Sequence, residues 1–477
     1  MTTAIRHRNS EDWRRQTEAV LGYLASPAYR AVHFVGIGGV GMAGLAHLMH
    51  EAGYEVTGCD LLEGPTIQWL RGQGIPIQIG HEADHLQGPA SWVVRSPAVP
   101  LHHPELVEAA AQQMPVIDRG ALLPAWMHRY ARSIAVGGTH GKTTTACMIL
   151  HILETLGVAS AYVIGGLPAG HSGVAGGGGL DVLVAEADES DGSLALYKPT
   201  VAVITHTELD HVDYYPTEAD LHHVYRTVIG QARVASVIPV EAAEDLATPG
   251  VDVRTFGLSE AAHYRAMALE QNGGQGMHFS LIQDGAQPLP VSVSAGGKHN
   301  VLNALAALAA VDALGLDRVA AAAALASFRL PGRRFDVVLE ARGITVVSDY
   351  AHHPTEIHAL LEQARQWGAK RILGVFQPHR YSRTRQFARE FAGALRGLDG
   401  IGLVPVYSAS EPFVDGGRSE DLYATMRSMG IHHVVLYDSL PDAWKAIRAD
   451  LMEGDLLLVI GAGDVEKIAV WAADELA

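Results

Sequence analysis

The 477-residue sequence predicts an α/β protein of three domains, and three observations carry that expectation. An apolar strand, a glycine turn and a helical stretch begin near Ala31, the same succession begins again at Ser133, and strands alternate with helices a third time after Pro331. Such alternation requires mostly parallel sheets with helices on their faces. Length alone exceeds what one ordinary core accommodates. The restarts place the domains at 1–131, 132–329 and 330–477.

In the first segment the strand from Ala31 leads through a helix to about Gly53 and a second strand at Tyr54 to Gly58. The turn HFVGIGGVGM sets Gly36, Gly38 and Gly41 in GxGxxG spacing, with Asp60 after the second strand, so this domain is expected to be Rossmann-like. Taken alone, the turn suggests nicotinamide dinucleotide and an NAD-dependent oxidoreductase. The same turn accepts other diphosphates, and a glycine turn that only packs helix on strand has the same sequence.

The second segment opens with strand SIAVG, the run GGTHGKTTT at 137–145 and a helix. Strands LDVLVAEAD, TVAVITH and ASVIPV follow, and the shorter segments of 251–294 are expected to form a small antiparallel patch. Gly315 and Asp317 divide the Ala-rich run 301–326 into two helices, as stop and N-cap. The third segment, with strands ITVVSDY, RILGVFQ, GIGLVPVY, HVVLY and DLLLVIGAG, reads as a second Rossmann-like unit.

The run 137–145 carries the sharpest chemistry, and it makes the central domain P-loop ATPase-like. Backbone N–H groups of Gly138, Thr139, His140 and Gly141, with the helix start at Thr143 and Thr144, form a concave anion site. Lys142 supplies a cation for terminal phosphates and the Thr143 hydroxyl a ligand for Mg²⁺. Val136 stands where the standard pattern has its first glycine. Downstream, Glu186, Asp188, Glu189 and Asp191 crowd one strand end, a repulsion that a divalent cation offsets, and Asp210, His211 and Asp213 follow the next strand. Glu186 and His211 are favoured as metal ligands because both follow strands that should flank the P-loop strand. For the other acids a solvated loop is the simpler reading. Asn300 and Asn303, three apart on one helix face, suit an adenine edge as well as they suit capping. Arg333 and Arg334, then His379, Arg380 and Arg383, are the obvious anion receptors in an acidic chain.

A formal charge of −17, from 35 Lys and Arg against 52 Asp and Glu, excludes nucleic acid as the expected partner. Cys59 and Cys147 lie far apart outside any CxxC pattern, so neither a disulfide framework nor a zinc site is expected. No signal peptide or membrane span is legible, and a cytoplasmic location without membrane insertion is expected. The doublets His102/His103, His222/His223 and His432/His433 read as surface residues.

Nine stretches, GIGGVGMAGLA, GTHGKTTT, EADESD, DHVDYY, GKHNVLNALAAL, GRRFD, DYAHHPTEI, FQPHRYSRT and GAGD, follow one another in an order that resembles the Mur ligases over all but about the first thirty residues. The resemblance implies an ATP-dependent amide-bond ligase with UDP-sugar on the first domain, ATP on the second, and a third that closes over both and receives the amino acid. Its nearest branch adds L-alanine to UDP-N-acetylmuramate; murein tripeptide recycling is the close alternative. By likeness, Gly138 to Thr144 with Asn300, Asn303, Arg334 and Asp349 bind ATP, and Thr143, Glu186 and His211 hold Mg²⁺. Lys142, Glu186, His211, His379, Arg380 and Arg383 would act in catalysis. Gly38, Gly39, Val40, Gly41, Met42, His81 and Ser96 would contact the UDP-sugar, and His352 would also bind substrate. A monomer or weak homodimer is expected. Some relatives carry a carbamylated lysine about fifteen residues past the DH motif; Arg226 stands there here, and the alanine-adding branch also lacks that lysine.

Overall fold

The computed structural model describes residues 4–211, 214–272, 276–283, 285–409 and 411–477, so Asp213 lies outside the described residues. Among these residues the chain divides into two compact units, residues 1–269, 279–293 and 300–328 in one, and 270–278, 294–299 and 329–477 in the other.

The first unit opens with a parallel sheet of β1 (Ala31–Val35), β2 (Glu55–Asp60), β3 (Ile77–Ile79), β4 (Trp92–Arg95) and β5 (Val116–Asp118), in the order β3-β2-β1-β4-β5. Strand order reverses at β1, which puts the turn after β1 at the crevice where a doubly wound sheet receives ligands. The helix after that turn, Val40–Glu51, buries every residue from Met42 to Met49. The N-terminal stretch, which carries no motif, forms a helix, Ala4–Ala25. Trp13 Nε1 and Gln16 Nε2 both donate to Asp118 Oδ2 at 3.3 Å, and Tyr23 stacks on Tyr29. This helix is therefore tied to the C-terminal end of β5.

A larger sheet, in the same unit except for residues 270–278, is built from β6 (Arg132–Gly137), β7 (Ser160–Val163), β8 (Ala175–Gly176), β9 (Val182–Glu186), β10 (Val201–Ile204), β11 (Ala235–Pro239), β12 (Val253–Gly257), β13 (Tyr264–Asn272), β14 (Gly276–Gln283) and β15 (Leu289–Val293). Its order is β15-β14-β13-β12-β11-β10-β6-β9-β7-β8. Residues 251–294 therefore extend the central sheet, and β11–β12 and β12–β13 pair in parallel where the sequence predicts an antiparallel patch. Short strands with glycine turns suggest hairpins, but the register in which such strands join an existing sheet is a tertiary choice. Strands β6 and β10 are apolar along their centres because helices cover both faces. Each Val or Ile fully buried there contributes roughly 1.5–3 kcal/mol. One apolar core joins the two sheets, with Phe34, Met42 and Trp126 in the same cluster as Ala135, Leu183 and Ile204. The Ala-rich run forms the expected two helices, Lys298–Ala313 and Arg318–Ala324, with Gly315 at φ +79° and Asp317 accepting the Ala320 N–H at 2.7 Å.

The second unit carries β16 (Asp336–Ala341), β17 (Ile344–Asp349), β18 (Arg371–Phe376), β19 (Gly400–Leu403), β20 (Val434–Leu436) and β21 (Asp455–Ile460), ordered β16-β17-β21-β18-β19-β20. Five of these strands are the expected ones. The sixth, β16, is an antiparallel edge partner of β17 that the sequence does not announce. Alternate residues of β21 point to opposite faces, Leu456 and Leu458 into one core and Leu457 and Val459 into another.

Candidate active site

The turn at 137–143 joins β6 to the helix Lys142–Thr155, and its backbone requires glycine. Gly138 has φ +116°, and a Cβ there would stand 2.7 Å from the Thr205 backbone nitrogen and 2.8 Å from that of His206. Gly141 has φ +81°, and a side chain there would run into Asn303 Oδ1. Strands β9 and β10 flank β6, so the residues at their C-terminal ends reach this loop.

The side chains around the loop form one ionic cluster. Lys142 Nζ donates to Gly138 O at 2.6 Å and to Glu189 Oε1 at 2.7 Å, and Thr143 Oγ1 donates to Glu186 Oε1 at 3.0 Å. Glu186 Oε2 accepts the Gly165 N–H at 2.7 Å, and His211 Nε2 lies 3.6 Å from Glu189 Oε1. Burial opposes charge on Lys142, but Glu189 outweighs it and holds the ammonium pKa above its usual value. Burial likewise works against imidazolium at His211, and Glu189 with Asp210 reverses the balance and raises its pKa. Lys142, Thr143, Glu186 and His211 are thus brought together, and Glu189 joins them at the centre. Its Oε2 is buried and has no hydrogen-bond partner among the described residues. An orphaned carboxylate oxygen beside a hydroxyl, a second carboxylate and an imidazole is a donor set that fits a hard divalent cation.

The remaining acids are held differently. Asp188 and Asp191 both meet Arg119 Nη2, at 3.3 and 3.4 Å, so a guanidinium offsets part of the repulsion assigned from sequence to a cation alone. Burial raises the pKa of Asp188, yet Arg119 and the Ser190 hydrogen bonds bring it well below the usual carboxylate range. Arg119 also lies against Gly41, where a Cβ would meet its Nη1. It belongs to no motif, and only a structure connects it to either loop. Thr139 Oγ1 donates to Glu208 O at 2.5 Å, and His140 Nε2 lies 3.1 Å from Glu208 Oε2. Asn303 Nδ2 donates to Asn300 Oδ1 at 3.1 Å and its Oδ1 accepts from Thr145 at 3.3 Å, so the asparagine pair backs the loop. Thr144 is buried behind the same loop. Asn300 lies inside the helix that begins at Lys298 and is not its cap.

At the first glycine turn Gly38 N–H donates to Asp60 Oδ2 at 2.8 Å, and Gly39 caps the helix that Val40, Gly41 and Met42 begin. Ser96 packs against Gly36, and Ser96 N–H donates to Val35 O at 3.0 Å. His81 stands beyond β3 with its Nδ1 3.4 Å from Cys59 Sγ. His103, expected at the surface, is 7% exposed and packs its ring edge-on to that of His81; His102, beside it in the same doublet, is exposed.

The second unit has its own cluster. His379 Nδ1 lies 3.2 Å from Arg383 Nη1, and its ring meets those of His352 and Tyr407 at 5.6 and 5.7 Å. Arg380 sits at φ +68° and donates its N–H to Tyr407 O at 2.9 Å. His352 N–H donates to Glu356 Oε2 at 2.9 Å, and Arg334 Nη1 lies 3.8 Å from Glu356 Oε1. Asp349 accepts the N–H groups of Phe335 and Ala351 at 2.7 and 2.8 Å; burial pushes its pKa up and Arg334 opposes that shift. Arg333, by contrast, donates to the carbonyls of Gly461 and Gly463 and pairs with Glu466, a structural clasp.

Three family descriptions match in succession: Mur ligase family, catalytic domain, at residues 31–131; Mur ligase middle domain at 136–311; and Mur ligase, glutamate ligase domain, at 333–463. The chain is 38% identical over 452 residues to the UDP-N-acetylmuramate–L-alanine ligase of Thermobifida fusca (strain YX), covering 92% of this chain and 94% of the relative. The UDP-N-acetylmuramate–alanine ligase of Thermotoga maritima superposes with a TM-score of 0.81 at 29% identity, covering 93% and 98% of the two chains. A murein peptide ligase from Psychrobacter arcticus, 24% identical with a TM-score of 0.71 over 94% and 99%, shares the fold. With matches spanning all three segments and a cluster of lysine, threonine and carboxylates at the central glycine loop, the chain belongs to the Mur ligase family of ATP-dependent, amide-bond-forming ligases.

Proposed function

We propose that this chain joins L-alanine to the carboxylate of UDP-N-acetylmuramate, through an acyl phosphate, in the synthesis of peptidoglycan precursors. The convergence of Lys142, Thr143, Glu186 and Glu189 on one glycine loop carries the phosphoryl-transfer part of this reading. The extended identity to a relative of that name supports the choice of substrate. A substrate carboxylate oxygen attacks the γ-phosphorus, a C–O–P bond forms, the β–γ bridge breaks, and ADP leaves. The alanine amine then attacks the acyl carbon and phosphate departs.

Bringing a carboxylate to within about 4 Å of an anionic phosphate costs roughly 4 kcal/mol per charge pair at an effective dielectric near 20. Lys142 counters that repulsion from the loop side. Thr143, Glu186 and His211, joined by Glu189, would hold Mg²⁺. Bound there, the ion supplies charge neutralisation on the triphosphate. Asn300 and Asn303 brace the loop, and Arg334 and Asp349 are assigned to the nucleotide. In the first sheet the turn Gly38–Met42, with His81 and Ser96, takes the UDP-sugar, while His352, His379, Arg380 and Arg383 receive the amino acid and the reacting carboxylate. This reading divides the chain at 1–131, 132–329 and 330–477. It places the enzyme in the cytoplasm as a monomer or weak homodimer; among the described residues no helix is long and apolar enough to cross a membrane.

Phosphate release with ATP and UDP-N-acetylmuramate, screened against single amino acids and against the murein tripeptide, tests the assignment. Turnover with L-alanine well above glycine, serine and tripeptide is expected, and preference for the tripeptide would overturn it.

A further inference from the structure

Beside β1 and β2 lies a second cluster of ligand-type side chains, of which the proposed function uses His81 alone. Glu105 is fully buried in the helix Pro104–Ala111. Around its two oxygens stand His33 Nε2 at 3.0 Å, Cys59 Sγ at 3.0 and 3.1 Å, His85 Nδ1 at 3.1 Å and His81 Nδ1 at 3.5 Å. His103 closes the group, its ring centroid 4.1 Å from that of His81, and donor atoms of His81, His103 and Glu105 all lie within 4.8 Å of one another.

An ordinary buried hydrogen-bond network explains most of this, but it does not explain His103. That imidazole is 7% exposed, and both its ring nitrogens are buried without a hydrogen-bond partner among the described residues. A buried ring that satisfies neither nitrogen is costly, and an ion bound at one nitrogen removes the part of that cost due to that nitrogen.

We propose that His81, His103, Glu105 and Cys59 form a site for a tetrahedral divalent transition metal of the Zn²⁺ class, separate from the Mg²⁺ site of the central loop. Three of the four donors already stand close to the required geometry. Metal–ligand bonds of about 2.0–2.3 Å at tetrahedral angles separate neighbouring donors by roughly 3.3–3.8 Å. Cys59 Sγ, His81 Nδ1 and Glu105 Oε1 form a triangle with sides of 3.0, 3.4 and 3.5 Å, which needs only slight expansion. The donor types select the metal class, since thiolate and imidazole favour Zn²⁺ over Mg²⁺ or Ca²⁺. His33, held by Thr57 Oγ1 through Nδ1 at 2.8 Å, and His85 stay outside the shell and orient the carboxylate. On binding, the Cys59 thiol releases its proton to solvent and the thiolate takes the metal. His81, assigned above to the UDP-sugar, would be fixed in orientation by the same bond.

The test uses full-length, untagged protein loaded with Zn²⁺ and dialysed without chelator. About one zinc per chain is expected, with X-ray absorption showing one sulfur at about 2.3 Å among nitrogen and oxygen neighbours. Cys59→Ser combined with His103→Ala should lose that equivalent, while Glu186→Ala retains it. Should the double variant fail to fold, cobalt substitution of the unaltered chain decides, because a tetrahedral site with one thiolate gives intense visible bands and a sulfur-to-metal charge-transfer band. Less than a tenth of an equivalent of zinc, a sulfur-free shell, or zinc retained by a folded double variant would overturn the proposal.

Discussion

The two glycine turns of the first unit begin alike and finish differently. Each follows a buried parallel strand and starts a helix, and each places glycines at positive φ, Gly36 in one and Gly138 and Gly141 in the other. At the first turn an N–H is already taken by Asp60, and the nearest cation, Arg119, is shared with two acids. At the second, Lys142 and Thr143 face a cluster of carboxylates. A strand–turn–helix is thus a general anion cradle, and the side chains arriving from neighbouring strands decide whether it only binds or also takes part in transfer.

That contrast can be broken at several points. The largest effect is expected for Lys142→Ala, which should lower ADP formation by about 10³-fold while leaving the fold intact, as losing one preorganised charge at a transition state does. Rapid-quench measurement of ADP with a parallel melting curve checks it, and near-normal turnover would refute the role. Next comes Gly138→Ala. Its Cβ would press on the backbone at Thr205 and His206, so a loss of about 1–3 kcal/mol in stability is expected. Gly39→Ala at the first turn meets nothing nearer than 4.0 Å and should stay within about 0.5 kcal/mol of the unaltered chain in denaturant unfolding.

A pH-dependent effect concerns His299, at the start of the helix that backs the second turn. Burial first, and Arg334 second, lower its pKa to about 4. The folded ring is neutral where the unfolded one is charged, so the unfolded chain binds the extra proton between about pH 4 and 6.5. Stability from this group should rise with pH across that window and level off above it. The gain is at most about 3 kcal/mol, less because the ring is only part-buried. Comparing His299→Gln with the unaltered chain from pH 4 to 7 isolates it.

The central cluster was legible in the sequence because its residues sit in local patterns: GKTTT fixes Lys142 and Thr143 at a helix start, Glu186 ends β9 and His211 follows β10, the strands on either side of β6. The two helices around Gly315 were legible for the same reason. What stayed hidden depends on contacts between distant segments. Arg119 looks like any surface arginine until helix and acidic loop meet, and Glu189 is one acid among four until Lys142 selects it. His103 reads as half of a surface doublet because the fold, not the spacing, carries it inward beside His81 and Glu105. The antiparallel edge strand β16 gives no signal because its pairing is chosen only once β17 is in place.

The Arg119 guanidinium leans on the first glycine turn and holds Asp188 and Asp191 on the far side. An anion that drew this cation toward the turn would leave those two acids to repel each other beside the second glycine turn. Were an anion at the turn to move Arg119, reciprocity would require that a change at the two acids alter the affinity of the turn by the same factor.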